Sequence, residues 1–417
     1  MLASARVAFL ALIVSLAVPR LGIPYAGATL SLTEALFTVA AGCWVAALLR
    51  GETRLKVEPG DLPILGYVGL LLVATVAAGT LVPERIAILG YSAALALLAS
   101  RLAAGQVERA ARRWLWASAI PAGVGVLALA LFVFGIRLDY ALHPFGTLAP
   151  GPYPRLQSTF AFPAMLCTYL TVSVLLLLHA RRAGWIGRGK FLTIGGASAI
   201  TALYCLTPGL GGLALAIGGW LTLSDGRSRW WLAGGAAALA GSVVAAALTP
   251  VAHPSAHWSI EMLGHPFYPA VRWLAWSDAL RLWAAHPLVG TGLTGGPVSV
   301  DYLDPGGAWH NVTDAHDVYL NIAAQTGLVG LAGLALLIGW VTVSLRGNGL
   351  GATLALAWLA AFAAEGLTGS YEDARHLWVL LGLVAAARRS DRLADQPSGQ
   401  ASERVASRPT IASCAGA

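Results

Sequence analysis

The chain has 417 residues, of which 57% are hydrophobic and only 11% charged, and its formal net charge is +7. That is too little polar surface to cover a soluble globule of this size, so soluble classes are excluded. The composition implies an all-α polytopic transmembrane helical bundle, and the positive charge follows from topology, with no nucleic-acid partner required.

In chain order, apolar runs of crossing length predict about twelve spans. They cover residues 3–18, 28–49, 62–82, 84–100, 114–136, 158–180, 191–206, 208–223, 230–248, 318–345, 351–369 and 376–387. Arg6 lies near the start of the first run, as in a signal peptide, but Pro19-Arg20 closes it without a small-residue cleavage site. An uncleaved first span is therefore expected. The seventh and eighth runs are short and broken at Thr207-Pro208-Gly209, as in a hairpin that does not fully cross. Residues 1–389 read as one membrane domain, and the polar, Pro/Ser-rich segment 390–417 reads as a disordered cytoplasmic tail.

Basic residues set the orientation. With the N-terminus in the cytoplasm, only Arg20, Arg85, Arg137, Arg155, Arg272, Arg281 and Arg375 of the 27 Lys and Arg fall outside. An even number of spans returns the C-terminus to the cytoplasm, beside Arg388, Arg389 and Arg392. In this orientation the external loops are 137–157 and 249–317. Cys43, Cys167, Cys205 and Cys414 show neither metal spacing nor a disulfide framework.

The external side also carries every histidine except His179, while span interiors hold few charges, chiefly Glu34 and Glu365 near external ends. Carriers keep ionisable groups near the midplane. Here the polar chemistry gathers at the outer boundary, as in a site that acts on something presented there.

Within the larger loop, "YPAVRWLAWSDALRLWAAHP" (268–287) reads as an amphipathic interfacial helix whose stripe is Trp273, Trp276, Leu280 and Trp283. Arg281 lies three residues from Asp278 and can pair with it. Arg272 has no local acid and is expected to face the membrane surface, where it either meets a lipid phosphate or snorkels to headgroups. The turn "HPLVGTGLTGG" (286–296) follows. Then "TDAHDVYL" reads as a helix start, with Asp314 at the N-cap and Asp317 at the third helical position. That places His316 in the first turn, where the helix dipole favours a neutral ring able to accept a proton. On spacing alone a hydrogen-bonded surface histidine is the ordinary reading. Asp301, Asp304, His310, Asp314 and His316 form a metal-site alternative whose spacing matches no established ligand pattern. Gly327, Gly330 and Gly333 suit close helix packing.

The order "RWLAWSDALRLWAAHPLVGTGLTGG", a loop, then "AHDVYLNIAAQTGLVGLAGLALLI" resembles the O-antigen ligase and polymerase family of bacterial membrane glycosyltransferases. Its pattern is an Arg-led amphipathic helix, an H/N-P-L-x-G-x-G turn, then H-N-x-Y-L and E-x-G-L-x-G-L. Upstream, "RLQSTFAFPAMLCTYL" is similar to its R-x-x-G-T-F-x-N-P-N segment. The resemblance implies transfer or polymerisation of a glycan from undecaprenyl pyrophosphate to an acceptor hydroxyl, at the outer face of the membrane. Arg155, Arg272 and His316 match the family's essential positions. Asp317 stands where Asn is usual, Gln325 where Glu is usual, and "TPGLGG" (207–212) lacks the arginine of T-x-S-R-G.

On this reading Arg155 and Arg272 offset the pyrophosphate charge and His316 takes the acceptor's proton. Gly290, Gly292 and Arg281 line the substrate, and Tyr319 either stacks on sugar or packs against a neighbouring span. The reaction inverts the anomeric centre and uses no metal or other cofactor. The partners are the lipid-linked donor, a glycan, lipid or protein acceptor, and membrane lipids. Ligase, repeat-unit polymerase and protein O-oligosaccharyltransferase are not separated by the sequence, and a lipid-linked glycan exporter is the rival from another class.

Overall fold

The structure, a computed structural model, describes residues 1–25, 28–143, 154–225, 229–248, 260–262, 265–267, 271–303, 309–346 and 349–394. Helices occupy the apolar runs, and their ends follow local chemistry. Helix α1 (Leu2–Ser15) leads into a hairpin of β1 (Gly22–Tyr25) and β2 (Ala28–Ser31), after which Ser31 and Glu34 form a capping box that opens α2 (Leu32–Leu49). Residues 28–31, expected within the second span, are therefore strand. There follow α3 (Leu62–Ala77), α4 (Pro83–Ala103), α5 (Val107–Ala117) and α6 (Ala119–Val133). Helix α7 (Pro163–Arg182) starts on a proline whose missing N–H costs nothing there.

The second half contains α8 (Arg188–Tyr204), α9 (Leu210–Asp225) and α10 (Arg229–Leu248). Next come the hairpin β3 (Ile260–Met262)–β4 (His265–Phe267), α11 (Val271–Ala285) and the hairpin β5 (Val300–Leu303)–β6 (Trp309–Val312). The chain continues through α12 (Val318–Val343), α13 (Leu350–Trp358), a π-helical turn (Leu359–Ala364), a 3-10 turn (Glu365–Thr368) and α14 (Arg375–Ala394). The membrane domain's last helix thus runs past residue 389, and the rest of the expected tail lies outside the described residues.

Among the described residues, seven helices are long and apolar enough to cross a membrane. The apolar helices Leu2–Ser15, Leu62–Ala77 and Leu210–Ser224 are shorter. These helices mark a membrane protein. In α7 and in Leu350–Thr368, 72% of the most apolar stretch is buried, against 17% in α2 and α10. The first pair therefore forms the centre of the bundle and the second its periphery. Val39, Val73, Leu127 and Leu336 stay exposed on helix surfaces, as expected of faces turned to lipid.

The Thr207-Pro208-Gly209 break is present, but α8 and α9 do not form a packed hairpin: α8 rests on α6 and α7, and α9 on α10. The glycine stripe of α12 also divides. Gly330 and Gly333 approach Leu71 and Leu70 of α3, whereas Gly327 has φ +59 and interrupts the helix.

Candidate functional site

Arg155 is carried by a tightly pinned segment. His143 N–H donates to the Arg155 carbonyl at 2.7 Å, Leu156 N–H to Tyr204 at 2.8 Å, and Gln157 and Ser158 N–H both to Ala141 at 2.9 Å. The Ser158 hydroxyl donates to Pro121 of α6 at 2.7 Å and the Thr159 hydroxyl to Ala17 at 2.6 Å, so earlier parts of the chain hold this stretch. The Arg155 side chain is half-buried and its Nε donates to the Cys205 carbonyl at 3.1 Å.

Arg272 reaches the same region from α11. That helix does not lie on an apolar surface by its tryptophans alone. Ala275 and Ala279 are fully buried in a cluster with Ala315 and Ala324, with Trp276 packed against them, while Trp273 and Leu280 are exposed. Docking on the small-residue face turns Arg272 inward: it is half-buried and its Nη1 donates to the Thr368 carbonyl at 2.9 Å. This corrects the expectation that Arg272 faces the membrane surface. Arg281 pairs with Asp278 at 2.7 Å, as its spacing predicts, and stays 74% exposed.

The charge of Arg272 acts on Arg155. Burial, and then the charge of Arg272, push Arg155 down to about 10. Burial likewise pulls Arg272 down, opposed by Tyr371, Asp314 and Asp317. Among the described residues, neither arginine has an ion-pair partner. Two half-buried like charges within electrostatic reach of each other would be stabilised by an anion.

His316 is bonded to Asp314, whose charge acts on Arg272, but it does not stand where the capping pattern predicts. The N-cap of α12 is Asp317, whose carboxylate accepts from Leu320 N–H at 2.9 Å, so His316 precedes the helix. Its backbone is left-handed, φ +49, an arrangement that costs a non-glycine residue about 1–3 kcal/mol. Asp314 Oδ1 accepts from both the His316 N–H and its ring Nδ1, each at 2.6 Å. Burial works against the Asp314 charge, but these bonds and that from Ser370 hold the carboxyl down at about 2. Asp317 is pushed up to about 6 by burial, and Glu372 to about 8 by the same cause.

The glycine turn has a structural job. At the α12 interruption, Thr291 N–H donates to Ala324 (3.0 Å) and Gly292 N–H to Gln325 (2.8 Å). In return Leu328 N–H donates to Pro287 (2.9 Å) and Val329 N–H to Leu288 (3.1 Å). The 286–292 backbone thus replaces helix bonds lost at Gly327, which a buried chain must do. A Cβ on Gly290 (φ +65) would lie 2.3 Å from the Gln325 carbonyl carbon, and one on Gly292 2.8 Å from Thr80 Cβ. Both glycines, read from sequence as lining substrate, therefore point at protein. Gly290→Ala should lower the thermal unfolding temperature, because it meets backbone and adds left-handed strain of about 1–2 kcal/mol. Gly339→Ala, with open space around it, should not. Equal melting of the two variants in a size-exclusion thermal assay would refute this account.

Tyr319 donates to the Ala363 carbonyl at 2.7 Å, so it packs against the neighbouring π-helical turn. The "TPGLGG" segment closes on Glu365. Cβ atoms at Gly209 and Gly212 would lie 2.8 and 2.3 Å from that fully buried side chain, whose Oε1 accepts from the Thr171 hydroxyl at 2.5 Å. In the metal-site alternative, Asp304 lies outside the described residues. Asp301 accepts from Asn311 at 2.7 Å while Asp314 serves His316, and no cluster of three metal-ligating side chains occurs among the described residues.

Sequence reasoning did not find Asn321, Ser370 and Glu372. Asn321 Oδ1 accepts from Ala315 N–H at 2.8 Å, and its Nδ2 reaches Ser370 at 3.1 Å and Glu372 at 3.0 Å. No periodicity or motif joins residues on α12 to the loop before α14. Comparison with known proteins gives no family model that matches this chain and no curated protein that matches it.

Proposed function

We propose that this chain is a membrane glycosyltransferase that moves a glycan from undecaprenyl pyrophosphate to an acceptor hydroxyl, as the O-antigen ligase resemblance implies. The observation that carries the reading is a pair of arginines that have no ion-pair partner among the described residues, Arg272 lying within electrostatic reach of Asp314, to which His316 is bonded. Among the described residues, that histidine's Nε2 has no hydrogen-bond partner. The arginines hold pyrophosphate oxygens and offset the charge that develops as the leaving group departs. The acceptor oxygen bonds to the anomeric carbon, the carbon–oxygen bond to pyrophosphate breaks, and His316 Nε2 takes the hydroxyl proton. Attack opposite the leaving group inverts the anomeric centre. Purified protein given undecaprenyl-pyrophosphate glycan and acceptor should release undecaprenyl pyrophosphate only when both are present. Acceptor-independent release, or none with any acceptor hydroxyl, overturns the reading.

The proposal includes a topology of about twelve spans in the bacterial inner membrane, both termini cytoplasmic and the site external. In a Cys-free background an impermeant thiol reagent should label position 299 in intact cells and leave position 185 unlabelled. The reverse pattern would invert the assignment. A carrier of lipid-linked glycan is favoured by one feature, the buried Glu365, whose Oε2 has no hydrogen-bond partner among the described residues, since carriers place such groups inside spans. Transport of that lipid across proteoliposomes without glycan transfer would select it.

A further inference from the structure

Residues 314–316 and the loop before α14 form a bonded unit that the proposed chemistry leaves unexplained. Asp314 Oδ1 accepts three hydrogen bonds of 2.6 Å, from the His316 backbone, the His316 ring and the Ser370 hydroxyl. An ionised carboxylate only accepts, so the ring nitrogen facing it carries the hydrogen, and a neutral ring then keeps its lone pair on Nε2. Because backbone and ring of His316 meet one oxygen, the imidazole cannot turn without breaking a bond. The oxygen is itself fixed from behind: Ser370 holds it, Asn321 holds Ser370, and Asn321 also takes the Ala315 N–H. Burial raises Glu372 to about 8, so the outer member of this chain adds little negative charge beside Asp314 at neutral pH.

We propose that Asp314 is the positioning residue for His316, fixing its Nδ1–H tautomer and aiming Nε2 at the site, with Ser370 and Asn321 as its support. The assignment rests on the reading of His316 as proton acceptor. A purely structural Asp314 would instead serve only to tie the start of α12 to the loop before α14.

Two measurements on the full-length protein in nanodiscs separate these roles. With ¹⁵N-labelled histidine, and His316→Gln to identify the signal, wild-type His316 should show a protonated Nδ1 and an unprotonated Nε2. Asp314→Ala should shift the ring toward the Nε2–H form that free imidazole prefers, and Asp314→Asn, which keeps an acceptor oxygen, should largely preserve the wild-type signature. In turnover with undecaprenyl-pyrophosphate glycan, Asp314→Ala should lose between tenfold and roughly 10⁴-fold, the latter being the loss when a triad histidine takes the wrong tautomer. Donor affinity should be unchanged. Added to His316→Ala, the Asp314 substitution should cost nothing more, since it acts through that ring.

An unchanged tautomer in Asp314→Ala overturns the proposal, and so does a double variant that falls well below His316→Ala alone. The tautomer signal needs no substrate. It therefore judges the positioning role separately from lipid pyrophosphate release, which judges the enzyme reading.

Discussion

His316→Ala should lower turnover by roughly 10²–10⁴-fold, the usual contribution of a positioned acid–base group, while donor binding survives. The split follows from geometry. The ring's Nδ1 is occupied by Asp314, and the positive charge suited to pyrophosphate comes from Arg155 and Arg272, not from the imidazole. Removing the ring therefore leaves the anion contacts in place and takes away only the proton acceptor. Alanine keeps the backbone N–H bond to Asp314 but must hold φ +49 without the Nδ1 bond, so a modest loss of stability is expected beside the loss of turnover. Donor affinity by binding to nanodisc-embedded protein and turnover by lipid pyrophosphate release, measured on one preparation, check the claim. Near-normal turnover ends the base assignment, and lost donor affinity assigns the ring to binding.

The helical character was legible because apolar run length is a one-dimensional property: helices occupy the apolar runs, and among the described residues seven are long and apolar enough to cross a membrane. Arg272 was legible as an arginine with no local acid and His316 as a histidine at a helix start, whereas Arg155 was singled out only by the family resemblance. Their surroundings were not legible. Arg272 reads as lipid-facing because a helical wheel shows a tryptophan stripe, whereas the docking face is the alanine pair Ala275 and Ala279, which a hydrophobicity pattern barely registers. Asp314 and Asp317 both suit an N-cap. Their assignment turns on the left-handed turn at His316, which depends on Ser370 some fifty residues downstream. The glycine turn 286–296 looks like a ligand loop in sequence because ligand loops and backbone-docking loops both need bare main chain. Only the interruption at Gly327 shows which of the two it is.

Arg272→Ala should weaken donor binding and turnover together. Truncating one partner of a buried charge contact typically costs about 2–5 kcal/mol, which corresponds to roughly 30-fold or more in affinity. Arg272→Lys should restore only part of this. One guanidinium nitrogen is committed to the Thr368 carbonyl, and an ammonium on a flexible stem cannot hold that contact and present a second planar donor pair to an anion. Stability should move the other way. In the absence of donor, Arg272 is half-buried, has no ion-pair partner among the described residues, and its charge opposes that of Arg155. Removing one relieves that repulsion, so the thermal unfolding temperature of Arg272→Ala should match or exceed that of the wild type even though activity falls. Such opposition between function and stability is expected where a site is built for a charge supplied by its ligand. Arg281→Ala is the control on the same helix: it is 74% exposed and paired with Asp278, and pairs of this kind contribute about 0–1 kcal/mol. Its donor affinity, turnover and melting should all stay close to wild type, so the Arg281 side chain is not expected to hold substrate. An Arg281 variant as impaired as the Arg272 variant would move the anion site to the exposed face of α11. An Arg272→Ala protein that melts well below wild type would show that the Thr368 contact, and not the anion, is what this arginine is for.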